Sequence, residues 1–274
     1  MSLFTVLGAS GFIGSHLVKY LKSEGCDCHA PVRGEDISTQ NLGNVIYCIG
    51  LTADFRTKPF DTVDAHVCYL LKTLKQYKFD SFLYLSSTRV YGVREDTAYE
   101  EDVIHSQPLI PGDLYNISKI MGESICFAAG KDNVRVVRLS NVYGYDSKSE
   151  NFIFSLIRDA LRGGKIVLNT TRDSSKDHVS VHDVVRILPE IAVKGKNRIY
   201  NVASGENITA GQIVDTLSRL TGCSVEVAAN AERICFPNIH VSRIKEEFNF
   251  KPSRILDDLE GLIIEYKNFE GTAR

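Results

Sequence analysis

Long apolar runs and long runs of one charge are both missing from this sequence. No stretch approaches the ~20 apolar residues that a membrane-spanning helix needs, and the formal net charge is only -2 over 274 residues. No cluster of lysine and arginine marks a surface for nucleic acid or for a membrane. The first residues show no signal-peptide pattern. We therefore expect a cytoplasmic protein that binds neither nucleic acid nor membranes.

Cysteine pairs with metal-binding spacing are missing as well. The seven cysteines are scattered through apolar segments, and only Cys26 and Cys28 lie two residues apart, on an expected strand. This pattern favours buried free thiols over a metal site. Internal repeats, low-complexity tracts and flexible linkers are also absent, and a hydrophobic content of 43% is ordinary for a globular domain. The length suits one large domain, or one and a half.

What the sequence does contain is a glycine-rich turn near its start. The apolar run Phe4–Leu7 predicts a buried strand, and apolar residues at helical spacing follow from Phe12. Between them, Gly8 allows a tight turn, Gly11 lets a diphosphate approach the main chain, and Gly14 lets the helix lie close to the strand. The spacing is one residue wider than the usual dinucleotide fingerprint, and glycines alone would also suit an ordinary turn. Because strand, turn and helix are all present, we expect the diphosphate of a dinucleotide to bind at Gly8, Ser10, Gly11, Phe12, Ile13 and Gly14.

Strand-like and helix-like segments alternate through the first half of the chain. This alternation predicts an α/β fold of the Rossmann type, a doubly wound parallel sheet with ligands at the carboxyl ends of its strands. The polar segment 93–111 is expected to be a loop over the site. The expected strands are 4–7, 26–32, 44–49, 82–85 and 134–139, and the expected helices after the first are 62–78 and 112–129.

A short link replaces one unit of this alternation. Only the residues from Gly34 to Gly43 separate the second expected strand from the third. A crossover helix with its connections needs about a dozen residues or more. One peripheral unit of the sheet should therefore be reduced, with the strand that ends at Val32 at or next to the sheet edge.

The second half is less regular. It predicts helices over 152–162, 181–193, 209–221, 242–248 and 256–269, with short strands at 166–168 and 199–202. We expect residues 1–145 to form a dinucleotide-binding domain to which about 177–203 return. Residues 146–274 should form mainly a small, interleaved substrate-binding lobe.

Tyr115 and Lys119 are the strongest candidates for catalytic residues. Four residues apart on a helix, they share one face. A phenol has a pKa near 10, so half-ionising it at neutral pH takes a shift of about three units, or roughly 4 kcal/mol. A neighbouring ammonium supplies part of that shift, and Ser87, where a strand ends, can bond the same substrate oxygen. An isolated pair of this kind is usually a surface feature, but here a glycine turn and a strand-terminal serine accompany it.

Several longer motifs support the same interpretation. With them, the chain resembles the extended short-chain dehydrogenases/reductases, in the NAD-dependent epimerase/dehydratase group that acts on nucleotide sugars. The resemblance covers nearly the whole chain. The motifs are Gly8–Gly14, Ser86–Gly92, Tyr115–Lys119, Arg138–Gly144, Asp177–Val184, Tyr200–Val202 and Ser242–Pro252.

The resemblance implies roles for single residues. Tyr115 would be the acid/base, Lys119 would hold the nicotinamide ribose, and Ser87 would polarise the substrate oxygen. His178 and His182, four residues apart, would belong to a segment that leads into a helix rather than to a metal site. A homodimer is also possible. Gly50 and Leu51 join the expected cofactor contacts, and the expected substrate contacts include Thr88, Arg89 and Asn141. By their charge, Arg172, Lys176 and Arg233 are candidates for contacts with the substrate's phosphates, and a solvated surface position is the alternative for each.

Departures from the family pattern narrow the reaction. Similar 4,6-dehydratases carry an Asp-Glu pair directly after the position of Ser87, and double epimerase-reductases carry a cysteine at the position of Arg89. This chain has Thr88 and Arg89 there. With dehydration and double epimerisation disfavoured, reactions that transfer only a hydride remain. We expect NADPH-dependent reduction of a nucleotide-linked 4-keto (6-deoxy) sugar. An NAD-dependent 4-epimerase and a non-catalytic NAD(P)-sensing protein are the alternatives.

The end of the second strand should decide between NADP and NAD. Enzymes that prefer NAD place a carboxylate there, whereas an arginine accommodates a 2′-phosphate. This chain has Val32 at the acidic position, followed by Arg33. We therefore expect NADP, although Glu35 or Asp36 could fold back onto the ribose and favour NAD.

Overall fold

The computed structural model describes residues 2–37, 41–52, 55–145 and 151–272. Its strands are β1 (Leu3–Leu7), β2 (Asp27–His29), β3 (Asn44–Tyr47), β4 (Ser81–Ser87), β5 (Val134–Leu139), β6 (Asn141–Tyr143), β7 (Lys165–Thr170), β8 (Ser175–Ser180), β9 (Ile199–Val202), β10 (Asn207–Thr209) and β11 (Ser224–Glu232). Its α-helices are α1 (Phe12–Ser23), α2 (Pro59–Val63), α3 (Tyr69–Gln76), α4 (Leu114–Ala128), α5 (Phe152–Gly163), α6 (Val181–Lys194), α7 (Ala210–Thr221), α8 (Ser242–Phe248) and α9 (Ile255–Thr272).

A six-stranded parallel sheet forms the centre of the fold, in the order β2-β1-β3-β4-β5-β9. The predicted doubly wound α/β fold is thus confirmed. Leu7 pairs with Tyr47 and Ser87 pairs with Leu139, so β1, β3, β4 and β5 end at the same edge. Side chains that follow these strands therefore converge on one region.

Apolar clusters cover both faces of this sheet. One contains Leu17 of α1 and Leu188 of α6, together with Ile244 of α8. The cluster on the other face contains Leu74 of α3 and Cys126 of α4. A third cluster lies in the second half of the chain, where α5, α7 and α9 pack around β7. A separate three-stranded sheet has the order β10-β8-β6.

The edge of the main sheet has the structure expected if one peripheral strand-helix unit is reduced. β2 is the edge strand, and the described residues between it and β3 form neither a helix nor a further strand of the sheet. Ile37 and Leu42, which flank the gap in the described residues, are 1% and 0% exposed and join the cluster of α3 and α4. They bury apolar surface where a crossover helix would otherwise pack.

Several local expectations need correction. The helix expected over 62–78 consists of α2, a π-helical turn (Asp64–Cys68) and α3. The strand expected over 26–32 is only Asp27–His29. The strands β6, β8, β10 and β11 were not expected, because each is short or polar and lacks a continuous apolar run.

The cysteines are free, as expected, but they are not uniformly buried. Cys126 and Cys223 are buried, Cys68 is exposed on the π-helical turn, and the other four are half-buried. Among the described residues, no three histidine, cysteine, aspartate or glutamate side chains are grouped so as to hold a metal ion. None of the helices in the described part of the chain is long and apolar enough to cross a membrane.

Candidate active site

The turn between β1 and α1 is shaped by glycine at two points. Gly8 has a φ of +88°, and a Cβ there would lie 2.8 Å from the Ile49 nitrogen. A Cβ on Gly14 would overlap the carbonyl oxygen of Gly8. No side chain caps the first amides of α1, so these donors are available to an anion. The turn therefore fits the diphosphate of a dinucleotide.

A cavity of about 490 Å³ opens beside this turn, at the carboxyl ends of β3, β4 and β5. The predicted site residues Gly11, Phe12, Ile13, Gly50, Ser87, Thr88, Arg89, Tyr115, Lys119, Asn141 and Lys176 line it.

The other predicted residues lie elsewhere. Ser10 is exposed on the glycine turn. Leu51 is not among the residues that line the cavity, and its amide donates to the His66 ring. Arg172 pairs with Asp215 across an exposed surface, and Arg233 pairs with Asp173 at 2.7 Å. The structure therefore does not bring Arg172 or Arg233 to the cavity.

The Ser87 hydroxyl is held by the start of a short 3₁₀ turn (Thr88–Tyr91). Its oxygen accepts a hydrogen bond of 3.2 Å from the Arg89 amide. Burial raises the pKa of Tyr115, while the nearby Ser87 hydroxyl and the Arg89 guanidinium oppose this shift. Tyr115 therefore carries its proton at neutral pH, as an acid must.

Lys119 lies one helical turn beyond Tyr115 and is 4% exposed. Its ammonium donates to the Leu85 carbonyl at 2.8 Å. Burial lowers the pKa of Lys119 to about 7, against the opposing effect of the Glu123 carboxylate. The lysine can thus change its charge near neutral pH.

Cationic and aromatic side chains surround the tyrosine. The Arg89 guanidinium carbon lies 5.6 Å from the centre of the Tyr115 ring and 5.2 Å from that of Phe55. Lys176 lies 4.3 Å from the Phe152 ring centre, and burial lowers the pKa of Lys176 to about 8. Neither cation has an ion-pair partner among the described residues. This end of the cavity therefore suits an anionic ligand.

Sequence reasoning missed two contributors to the cavity. His178 is 2% exposed, and neither of its ring nitrogens has a hydrogen-bond partner among the described residues. Asp177 also lines the cavity, but its carboxylate accepts hydrogen bonds from Ser204, Gly205 and Glu206. Both residues lie in the motif Asp177–Val184, but the sequence does not reveal which of its side chains face a ligand.

The end of β2 combines the two features that bear on cofactor choice. Arg33 is exposed, as Val32 is. The Glu35 carboxylate folds back and accepts hydrogen bonds of 3.0 Å from the Val32 amide and 3.1 Å from the His29 ring. The backbone bond is the largest factor that lowers the pKa of Glu35, followed by the bond from His29. A carboxylate thus lies at this strand end, although none occupies the expected sequence position.

Known proteins share both the sequence pattern and the fold. The model of the NAD dependent epimerase/dehydratase family matches residues 4–56 and 39–203. GDP-6-deoxy-D-mannose reductase of Pseudomonas aeruginosa is 29% identical over 260 residues, which cover 84% of this chain and 83% of the relative. Other similar proteins are named as nucleotide-sugar reductases, dehydratases and epimerases.

Two solved structures show the same fold over nearly the full length. MoeE5 in complex with UDP-glucose and NAD has a TM-score of 0.81 at 23% identity, covering 97% of this chain and 99% of that one. RMD from Pseudomonas aeruginosa, complexed with NADPH, has a TM-score of 0.81 at 22% identity, covering 98% and 100%. With its glycine turn and its grouped serine, tyrosine and lysine, this chain belongs to the NAD dependent epimerase/dehydratase family of enzymes.

Proposed function

We propose that this protein is an NADPH-dependent reductase of a nucleotide-linked 4-keto (6-deoxy) sugar. One observation carries the proposal: Tyr115 and Ser87 lie together in the cavity, and no free carboxylic acid accompanies them among the described residues that line it. Asp177 is the one carboxylate among the described residues that line it, and backbone amides occupy that carboxylate. Eliminating water needs an additional acid and base. Reducing a ketone needs one proton donor.

The residues of the cavity would have separate roles in the reduction. A bound reduced nicotinamide would supply a hydride to the keto carbon. Tyr115 donates its proton to the ketone oxygen, which gains negative charge as the carbon is reduced, and Ser87 donates a hydrogen bond to the same oxygen. Lys119 holds the nicotinamide ribose. Each turnover leaves one hydroxyl on the sugar and a Tyr115 phenolate, which regains its proton from solvent.

The second half of the chain would form most of the substrate-binding site. We propose that residues 146–274 act mainly as the substrate lobe and 1–145, joined by about 177–203, as the dinucleotide domain. Lys176, half-buried and without an ion-pair partner among the described residues, would meet the substrate diphosphate. Arg89, Thr88 and Asn141 would contact the sugar end.

A 4-epimerase that retains NAD is the second candidate, and the position of Glu35 favours it. A carboxylate at this strand end suits ribose hydroxyls better than a 2′-phosphate. A non-catalytic cofactor sensor is disfavoured, because such a protein has no need of an intact Ser87, Tyr115 and Lys119 set.

Incubating the purified protein with NADPH and a panel of 4-keto sugar nucleotides tests the proposal. We expect the nicotinamide absorbance to fall in step with formation of one reduced sugar. Cofactor that co-purifies at equal molarity and is never consumed would overturn the reductase and support the epimerase. The expected homodimer stays a prediction, which light scattering can test.

A further inference from the structure

A buried histidine joins the two sides of the catalytic cavity. The π-helical turn Asp64–Cys68 interrupts the helix that packs beside α4, and His66 lies at its centre with 0% exposure. π-helical turns are uncommon and occur often at functional sites. Both ring nitrogens of His66 are hydrogen-bonded, each to a different element.

The partners of His66 determine its tautomer. The Leu51 amide donates to Nε2 at 3.2 Å, so Nε2 carries no proton. The proton of the neutral ring is therefore on Nδ1, which lies 2.8 Å from the Ser118 hydroxyl oxygen. That hydroxyl donates in turn to the Tyr115 carbonyl at 2.9 Å. Donors and acceptors alternate without conflict from Leu51 to Tyr115.

The surroundings keep the ring neutral and in place. Burial, together with the smaller effect of the Lys119 ammonium, lowers the pKa of His66 to about 2. A Cβ on Gly50 would lie 3.1 Å from the His66 Nε2 and 3.3 Å from the Lys119 Nζ. The His66 ring also stands nearly perpendicular to the Tyr115 ring, with the centroids 5.4 Å apart.

We propose that His66 is a positioning residue, which uses its Nδ1–H tautomer to hold the Gly50–Leu51 loop against the first turn of α4. The loop follows β3 and faces the expected nicotinamide ribose, whereas α4 carries Tyr115 and Lys119. The hydrogen-bond chain fixes the distance between these two walls. This role rests on the proposed use of Tyr115 and Lys119, but not on the identity of the sugar.

Nitrogen NMR of the full-length protein tests the tautomer directly. With ¹⁵N-labelled histidine, and with assignment by the loss of signals in His66→Gln, we expect His66 to stay neutral and protonated on Nδ1 from about pH 5 to 8. A proton on Nε2, or titration of His66 within this range, would overturn the proposal. The measurement needs neither cofactor nor turnover.

Kinetics of matched variants test the positioning. His66→Phe keeps the ring volume but removes both hydrogen bonds, and we expect kcat to fall roughly tenfold to a hundredfold, with weaker NADP binding. His66→Gln, which can both accept and donate, should recover much of this loss. Ser118→Ala should lower kcat in the same direction, and the double variant with His66→Phe should be no worse than His66→Phe alone.

Thr73→Val is the control for general packing, because Thr73 is 0% exposed on α3 and its hydroxyl donates to the Tyr69 carbonyl of the same helix. Wild-type kcat and cofactor affinity in His66→Phe would refute the positioning role. A loss of kcat in Thr73→Val or in His66→Gln as large as that in His66→Phe would also refute it, as would additive losses in the double variant. A failure of the proposed function is distinguishable: Tyr115→Phe would then turn over normally, while the tautomer of His66 would be unchanged.

Discussion

Glu123, which lies one helical turn beyond Lys119 on α4, forms a buried two-point ion pair with Arg138 of β5. Arg138 Nε lies 3.0 Å from one carboxylate oxygen and Nη2 lies 2.7 Å from the other. The two side chains are only 4% and 5% exposed. The Ser86 hydroxyl donates to the same carboxylate, and Arg138 also donates to the Tyr91 hydroxyl. The pair therefore ties together β4, β5 and α4, the elements that carry Ser87 and Tyr115.

Glu123→Ala should destabilise the protein by about 3–5 kcal/mol, because it leaves the Arg138 charge buried without its partner. Urea unfolding at neutral pH measures the loss. Glu190→Ala is the matched control, since Glu190 pairs with Lys194 at 3.3 Å on an exposed helix surface and should cost at most about 1 kcal/mol. Equal losses in the two variants would show that burial of the pair contributes little.

Tyr115→Phe should lower turnover by about 10²–10⁴-fold and leave NADP affinity nearly unchanged. The phenol proton is lost, while the ring keeps its contacts with Phe55 and His66. Steady-state rates and cofactor titrations provide the measurement. Lys119→Met should instead weaken both turnover and cofactor binding. Near wild-type turnover in Tyr115→Phe would exclude the proposed acid.

The pH dependence of kcat/KM should report on Lys119. The free lysine has a pKa near 10.4, whereas burial brings the pKa of Lys119 to about 7. The ammonium is present below this pKa and lost above it, so kcat/KM for reduction should fall as the pH rises through about 7. Lys119→Arg remains charged over the whole range, so its profile should lose this step. An identical step in both proteins would assign the titration to another group.

Arg33 and Glu35 should shift cofactor preference in opposite directions. We expect the wild type to bind NADP more tightly than NAD, because the Arg33 guanidinium can pair with the 2′-phosphate. Val32→Asp with Arg33→Asn should reverse the order, and Glu35→Gln should weaken NAD more than NADP. Dissociation constants at low and moderate salt measure this, because added salt screens the exposed charge of Arg33. Equal wild-type constants, or no change in the double variant, would remove Arg33 from the site.

The features predicted best are those that local patterns encode. The glycine turn, the parallel alternation of strands and helices, and the short link after β2 depend on neighbouring residues in the chain, so spacing and residue type reveal them. Tyr115 and Lys119 are visible for the same reason, since four residues make one helical turn.

The features missed depend on contacts between distant segments. Leu51, His66 and Ser118 form one hydrogen-bond chain across 67 positions of sequence, and nothing in their spacing indicates it. Glu35 illustrates the same limit over a short distance: the residue was visible, but whether its carboxylate faces solvent or the end of β2 depends on the path of the turn between them.

The order of residues was thus sufficient to predict a glycine turn beside a tyrosine and lysine pair, and the fold places both at one cavity. The tertiary structure determines which cationic side chains line the cavity. Arg89, Arg172, Lys176 and Arg233 are equivalent candidates by residue type, yet only Arg89 and Lys176 line the cavity, while the other two pair with surface carboxylates. The pairing and the pKa of a charged side chain depend on every group that surrounds it in three dimensions, whereas a turn or a helix face is specified by its own few residues.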